Sequence, residues 1–114
     1  FHNPEFTMLE LYVAFRDYTW MMGLVEQMLS AVATAVRGTT DVEWGGHVLS
    51  FAAPFRRAPL FGLIEEHTGR DLRAAGRDAL ADAARAVGVD VQPEMGEGKL
   101  IDEIFGAAVE PHLV

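Results

Sequence analysis

The sequence predicts an α+β fold. Three observations carry that expectation: a stretch of strand-period alternation near the start, a glycine-centred hairpin signal in the middle, and several segments with apolar residues at helical spacing. From Glu5 to Phe15 the alternation has period two. Thr7, Leu9, Leu11, Val13 and Phe15 fall on one face, and Phe6, Met8, Glu10, Tyr12 and Ala14 on the other. A long strand is expected there.

The following segment reads as a helix. Asp17 is a capping residue, and Tyr18, Met21, Met22, Val25, Met28, Leu29, Val32 and Val36 recur at steps of three and four until Gly38. Met, Val and Leu in that pattern are core residues, so the helix is expected to pack on the sheet. Next, 41–44 and 48–51 flank Gly45-Gly46-His47, the composition of a tight hairpin.

A short helix is predicted over 60–67, with Leu60, Leu63 and Ile64 on one face and Gly69 as the stop. The region from about 70 to 97 then turns Ala-, Arg- and Asp-rich, and reads as a helical insertion on the main scaffold. Asp78 is placed as its cap, with Leu80, Ala83, Ala84 and Val87 facing inward and Gly88 as its end. The stretch 92–98 is turn-like, and 99–109 resumes helical spacing toward Pro111. No internal repeat is evident.

Half of the 114 residues are hydrophobic, enough to build one core. The absence of cysteine removes disulfides and Cys-based zinc sites. No apolar run reaches the ~20 residues a bilayer span needs, so no membrane is expected and the reading is of a soluble, cytoplasmic protein. A net charge of -8 argues against an autonomous nucleic-acid module, which presents a basic patch. The ends, Phe1-His2-Asn3-Pro4 and 110–114, read as cut from something longer.

Glu10 and Tyr12, two apart on a strand, project the same way at ~6.6 Å. A carboxylate and a phenol so placed suit an ammonium ligand, although the spacing alone fits an ordinary exposed sheet face better. The string His2-Asn3-Pro4-Glu5-Phe6-Thr7-Met8-Leu9-Glu10-Leu11-Tyr12 resolves this: it resembles the end of motif 2 in class II lysyl-tRNA synthetases. The resemblance continues through Asp17-Tyr18, Met21-Met22, Gly38-Thr39-Thr40, Pro54-Phe55-Arg56-Arg57, Glu65-Glu66-His67-Thr68-Gly69 and Gly98 to Phe105.

That resemblance implies part of the antiparallel sheet of a class II catalytic domain, with packed helices, over 1–114. It implies that Phe6 stacks on the adenine of ATP, that His2 lies near the ATP phosphates, and that Glu10 and Tyr12 line the lysine pocket. It also implies ATP, lysine and tRNA(Lys) as substrates, a homodimer, and an N-terminal anticodon-binding domain. The phosphate-gripping arginine, the acidic Mg2+ ligands and the motif 3 arginine are expected outside this chain, so no catalytic residue is assigned within it and the isolated segment is expected to be inactive. Two alternatives stay open: the paralogue that lysylates elongation factor P, and a non-catalytic interaction domain.

Other charged groups read as local. Asp102 and Glu103 diverge by ~100° on their helix, and Glu65-Glu66-His67 lacks the two-histidine spacing of a zinc helix, so no metal is assigned. Arg56 and Arg57 are expected to form local ion pairs rather than a phosphate contact.

Overall fold

A computed structural model describes residues 3–113. The elements in order are α1 (Tyr18–Arg37), β1 (Asp41–Trp44), β2 (His47–Ser50), α2 (Leu60–Thr68), α3 (Arg77–Ala86) and α4 (Glu97–Ala108), closed by a 3₁₀ turn at Glu110–His112. Helices with a small antiparallel sheet make the chain α+β, as expected. The chain divides into two compact units, Phe1–Phe55 and Arg56–Val114.

In the first unit, α1 starts where the sequence places it. The Asp17 carboxylate accepts from the Trp20 amide at 3.0 Å, satisfying one of the helix's orphan donors. It stops at Gly38, whose φ of 77° is open to glycine at little cost and whose amide reaches Thr34 O at 2.9 Å. β1 and β2 then pair antiparallel in the register Val42↔Leu49 and Trp44↔His47. Gly45 and Gly46 both take positive φ, as a two-residue turn between twisted strands requires. The hairpin's ends are tied by Phe51 N to Thr40 O at 2.8 Å and by the Ser50 hydroxyl donating to Asp41 at 2.7 Å. The Ser30 hydroxyl donates to Phe51 O, fastening α1 to the hairpin's exit.

Two expectations for this unit are corrected. Residues 5–13 form no strand, and the chain turns at Ala14–Phe15. The alternating pattern is present, but a strand exists only when a neighbour takes its N–H and C=O groups. Among the described residues no backbone hydrogen bond joins this stretch to another segment. Likewise α1 contacts β1 yet buries only Ala33, so most of its apolar stripe, Met22, Val25, Val32 and Val36 included, remains exposed.

The second unit holds the core. Leu63 and Ile64 of α2, Leu80, Ala81, Ala83 and Ala84 of α3, and Leu100 and Ile104 of α4 form one buried cluster with Leu72 and Val109. α4 lies against α2, α3 and the closing turn. Alanines on α3 let it approach α4 closely, which explains the Ala-rich composition as packing: Ala84 and Leu100 are completely buried.

The cap of α3 is Gly76, not Asp78, which sits in the first turn where its charge faces the positive end of the helix. α4 begins the same way, at Gly96. Gly76 and Gly96 have nearly identical backbone angles, φ -75° and -78° with ψ 172° in both. Each is preceded by a turn closed at 3.2 Å, Ala75 N to Leu72 O and Met95 N to Gln92 O, and each accepts at 3.0 Å from a buried leucine's amide, Leu80 or Leu100. A turn–glycine–helix unit therefore occurs twice, a structural repeat beneath dissimilar sequences that the one-dimensional reading does not detect.

Candidate functional site

The sequence places the candidate site on the segment before α1. Phe6 is 72% exposed, Tyr12 is 92% exposed, and Glu10 is exposed between them. His2 lies outside the described residues. Phe6, Glu10 and Tyr12 lie on a stretch with no assigned secondary structure. They are free of burial and of competing partners: among the described residues Glu10 makes no ion pair and Tyr12 no hydrogen bond. Large apolar groups surround them, Met8 and Leu9 well exposed and Leu11 partly so.

The transition into α1 is held by Arg16, whose guanidinium lies 5.5 Å from the Trp20 ring centroid in a cation–π contact. Phe15, just before it, has a φ of 57°, uncommon for a bulky residue. Phe15, Arg16, Asp17 and Trp20 line a shallow depression, and the hairpin turn forms another around Trp44 and His47. Neither includes Phe6, Glu10 or Tyr12. Trp44, paired with His47 at the hairpin tip, is 75% exposed.

Several charged groups of the second unit have local partners. Arg56 meets Glu66 at 2.5 Å, and that hydrogen bond is the main reason the Glu66 carboxyl is held below its ordinary range. Arg73 bridges Glu65 and Asp71 at 2.9 Å each. Lys99 lies 2.6 Å from Glu103 and 3.2 Å from Asp102, and those hydrogen bonds, Glu103's first, raise its pKa. The ring of His67 stacks on His112 at 4.8 Å.

A magnesium ion, which the resemblance implies, finds no housing here. Among the described residues no group of three or more His, Asp or Glu side chains converges, and the adjacent pair Asp102 and Glu103 is occupied by Lys99. No helix among the described residues is long and apolar enough to cross a membrane.

Comparison with known proteins bears on these residues directly. A lysine–tRNA ligase of Christiangramia forsetii is 48% identical over 109 residues, 96% of this chain and 19% of that protein. One from Porphyromonas gingivalis is 44% identical over 113 residues, 99% of this chain and 20% of that protein. One from Azobacteroides pseudotrichonymphae is 40% identical over 109 residues. The chain thus spans about a fifth of the length of the relatives it matches. The model of the family described as tRNA synthetases class II (D, K and N) matches residues 1–100, most of the sequence and all of the candidate segment, and the chain belongs to that family.

Proposed function

We propose that the protein carrying this chain is a lysine–tRNA ligase, and that residues 2–12 supply part of its adenine and lysine surface. The observation that carries this reading is the 40–48% identity, over nearly the whole chain, to proteins that all bear the name lysine–tRNA ligase.

In this reading residues 5–13 become a strand when a neighbouring strand takes their backbone hydrogen bonds. Phe6, Glu10 and Tyr12 then share a face, with Glu10 and Tyr12 at ~6.6 Å. Phe6 stacks on adenine. His2 lies near the triphosphate, Glu10 balances an ammonium group of lysine, and Tyr12 hydrogen-bonds the same substrate. ATP, lysine and tRNA(Lys) are the substrates, and the intact enzyme is a homodimer.

The chemistry proceeds in two displacements. A lysine carboxylate oxygen attacks the α-phosphorus of ATP, forming the acyl–phosphate anhydride as the bond to pyrophosphate breaks. A hydroxyl of the terminal tRNA ribose then attacks the acyl carbon, loses its proton, and expels AMP. This chain's contribution is positioning: holding adenine and the lysine side chain fixes the carboxylate against the phosphate. Magnesium chemistry and the transition-state cations are not supplied by these residues.

Amino-acid-dependent exchange of labelled pyrophosphate into ATP by the full-length protein tests the reading. Exchange is expected with lysine and not with aspartate or asparagine, the other two amino acids of the family's description. Exchange driven by aspartate or asparagine would overturn the assignment.

A further inference from the structure

The geometry points to Phe15, Arg16 and Trp20 as positioning residues for lysine: a left-handed turn at Phe15, held by Arg16 on the Trp20 ring, sets how the segment bearing Glu10 and Tyr12 leaves α1. This rests on the reading of Glu10 and Tyr12 as lysine-pocket residues, and adds what orients them.

The backbone at Phe15 is the first ground. Among the described residues it is the one non-glycine residue with positive φ, at 57°. A bulky side chain stays in that region only where the residues beside it hold it there. The reversal is abrupt: the chain turns at Ala14–Phe15, and Asp17 already stands as the cap of α1, extended at φ -102° and ψ 179°.

The second ground is that Trp20 is gripped twice. The Asp17 carboxylate accepts from its backbone amide at 3.0 Å, and the Arg16 guanidinium lies 5.5 Å from its ring centroid. The first turn is closed by Met21 N donating to Asp17 O at 3.2 Å. Capping needs Asp17 alone. What the Arg16 contact adds is a restraint on the residue directly after Phe15, tying it to a helix of 20 residues.

The third ground is the short lever between the turn and the site. Tyr12 lies three residues before Phe15, within about 11 Å of extended chain, and Glu10 lies two further on. A rotation about the Phe15 backbone carries both with it. A reacting group displaced by about 1 Å loses up to ~100-fold in rate, so the angle at this turn bears on where the carboxylate and phenol stand. Phe15, Arg16 and Trp20 act through the backbone and are not assigned a contact with lysine.

Lysine-dependent pyrophosphate exchange by the full-length protein tests the inference, with thermal melting of each variant alongside. Arg16→Ala is expected to lower kcat/KM for lysine about twofold to fivefold, the scale of an exposed cation–π contact. Arg16→Lys is expected to recover at least half of that loss, because an ammonium also sits over an indole face. Adding Arg16→Ala to Trp20→Leu is expected to cause no further loss, since the two residues make one contact. At the turn itself, Phe15→Asn is expected to exceed Phe15→Val about fivefold in kcat/KM: both remove the ring, and asparagine accepts the left-handed region that a β-branched residue resists. An unchanged Arg16→Ala, additive losses with Trp20→Leu, equal rates for the two Phe15 variants, or losses that follow only the melting temperature would each overturn the inference. Glu10→Ala, run beside them, separates the two readings. A loss in Glu10→Ala with none in Arg16→Ala overturns the positioning turn alone, whereas full exchange in Glu10→Ala overturns the lysine-pocket reading and this inference with it.

Discussion

Arg77 at the start of α3 donates from its guanidinium to the carbonyl of Pro93, 2.8 Å away in the turn before α4, and to Met95 O at 3.1 Å. These contacts satisfy carbonyls that the turn geometry leaves unpaired. Because the donor is charged and only part-buried, Arg77→Ala is expected to cost about 1–2 kcal/mol, read as a lower urea midpoint at unchanged slope. Arg77→Lys is not expected to restore it, since one ammonium cannot reproduce a planar fork. A midpoint unchanged in Arg77→Ala would show that the turn holds without the clamp.

Gly96 caps α4 with extended backbone, no side-chain hydrogen bond, and open space where a Cβ would stand. Gly96→Ser introduces a capping hydroxyl and stiffens the unfolded chain, so it is expected to stabilise by about 0.5–1 kcal/mol. Gly38→Ala is expected to act oppositely, because its positive φ strains any side chain. Thermal denaturation of the two variants checks the pair of signs.

Two carboxylates set an acid limit. The Arg56 hydrogen bond lowers the Glu66 pKa, and the Arg73 backbone amide lowers that of Asp71. A carboxyl whose folded pKa is depressed adds stability that is fully present above its unfolded value, ~4, and is lost as pH falls through the folded value. Stability is therefore expected to decline below about pH 4. Glu66→Gln with Asp71→Asn should flatten that part of the pH profile while leaving the alkaline side unchanged. A decline of the same depth in the double variant would assign acid sensitivity to other groups.

Much of the architecture is written locally. Asp17, Gly38, Gly69 and the Gly45-Gly46 pair mark their boundaries because capping and positive φ depend on a residue and its near neighbours. Asp78 misled because a glycine with extended backbone can begin a helix without any side-chain signal, and the repeat at Gly76 and Gly96 is hidden for the same reason. The strand over 5–15 is legible as a pattern yet absent as a ladder, since alternation is a property of the sequence while a ladder needs a paired neighbour. The site residues are legible by resemblance alone: Phe6, Glu10 and Tyr12 are exposed on a stretch without assigned secondary structure, so no local packing marks them.

Lysine-dependent pyrophosphate exchange by the full-length protein, with and without Glu10→Ala, tests the central claim most directly. Glu10 is exposed and makes no ion pair among the described residues, so its removal is not expected to disturb folding. The predicted result is a loss of at least ~30-fold in kcat/KM for lysine, as expected for deleting the carboxylate partner of a bound ammonium, with the KM for ATP little changed. Lysine-dependent exchange at the unsubstituted rate would contradict the assignment of Glu10 to the lysine pocket.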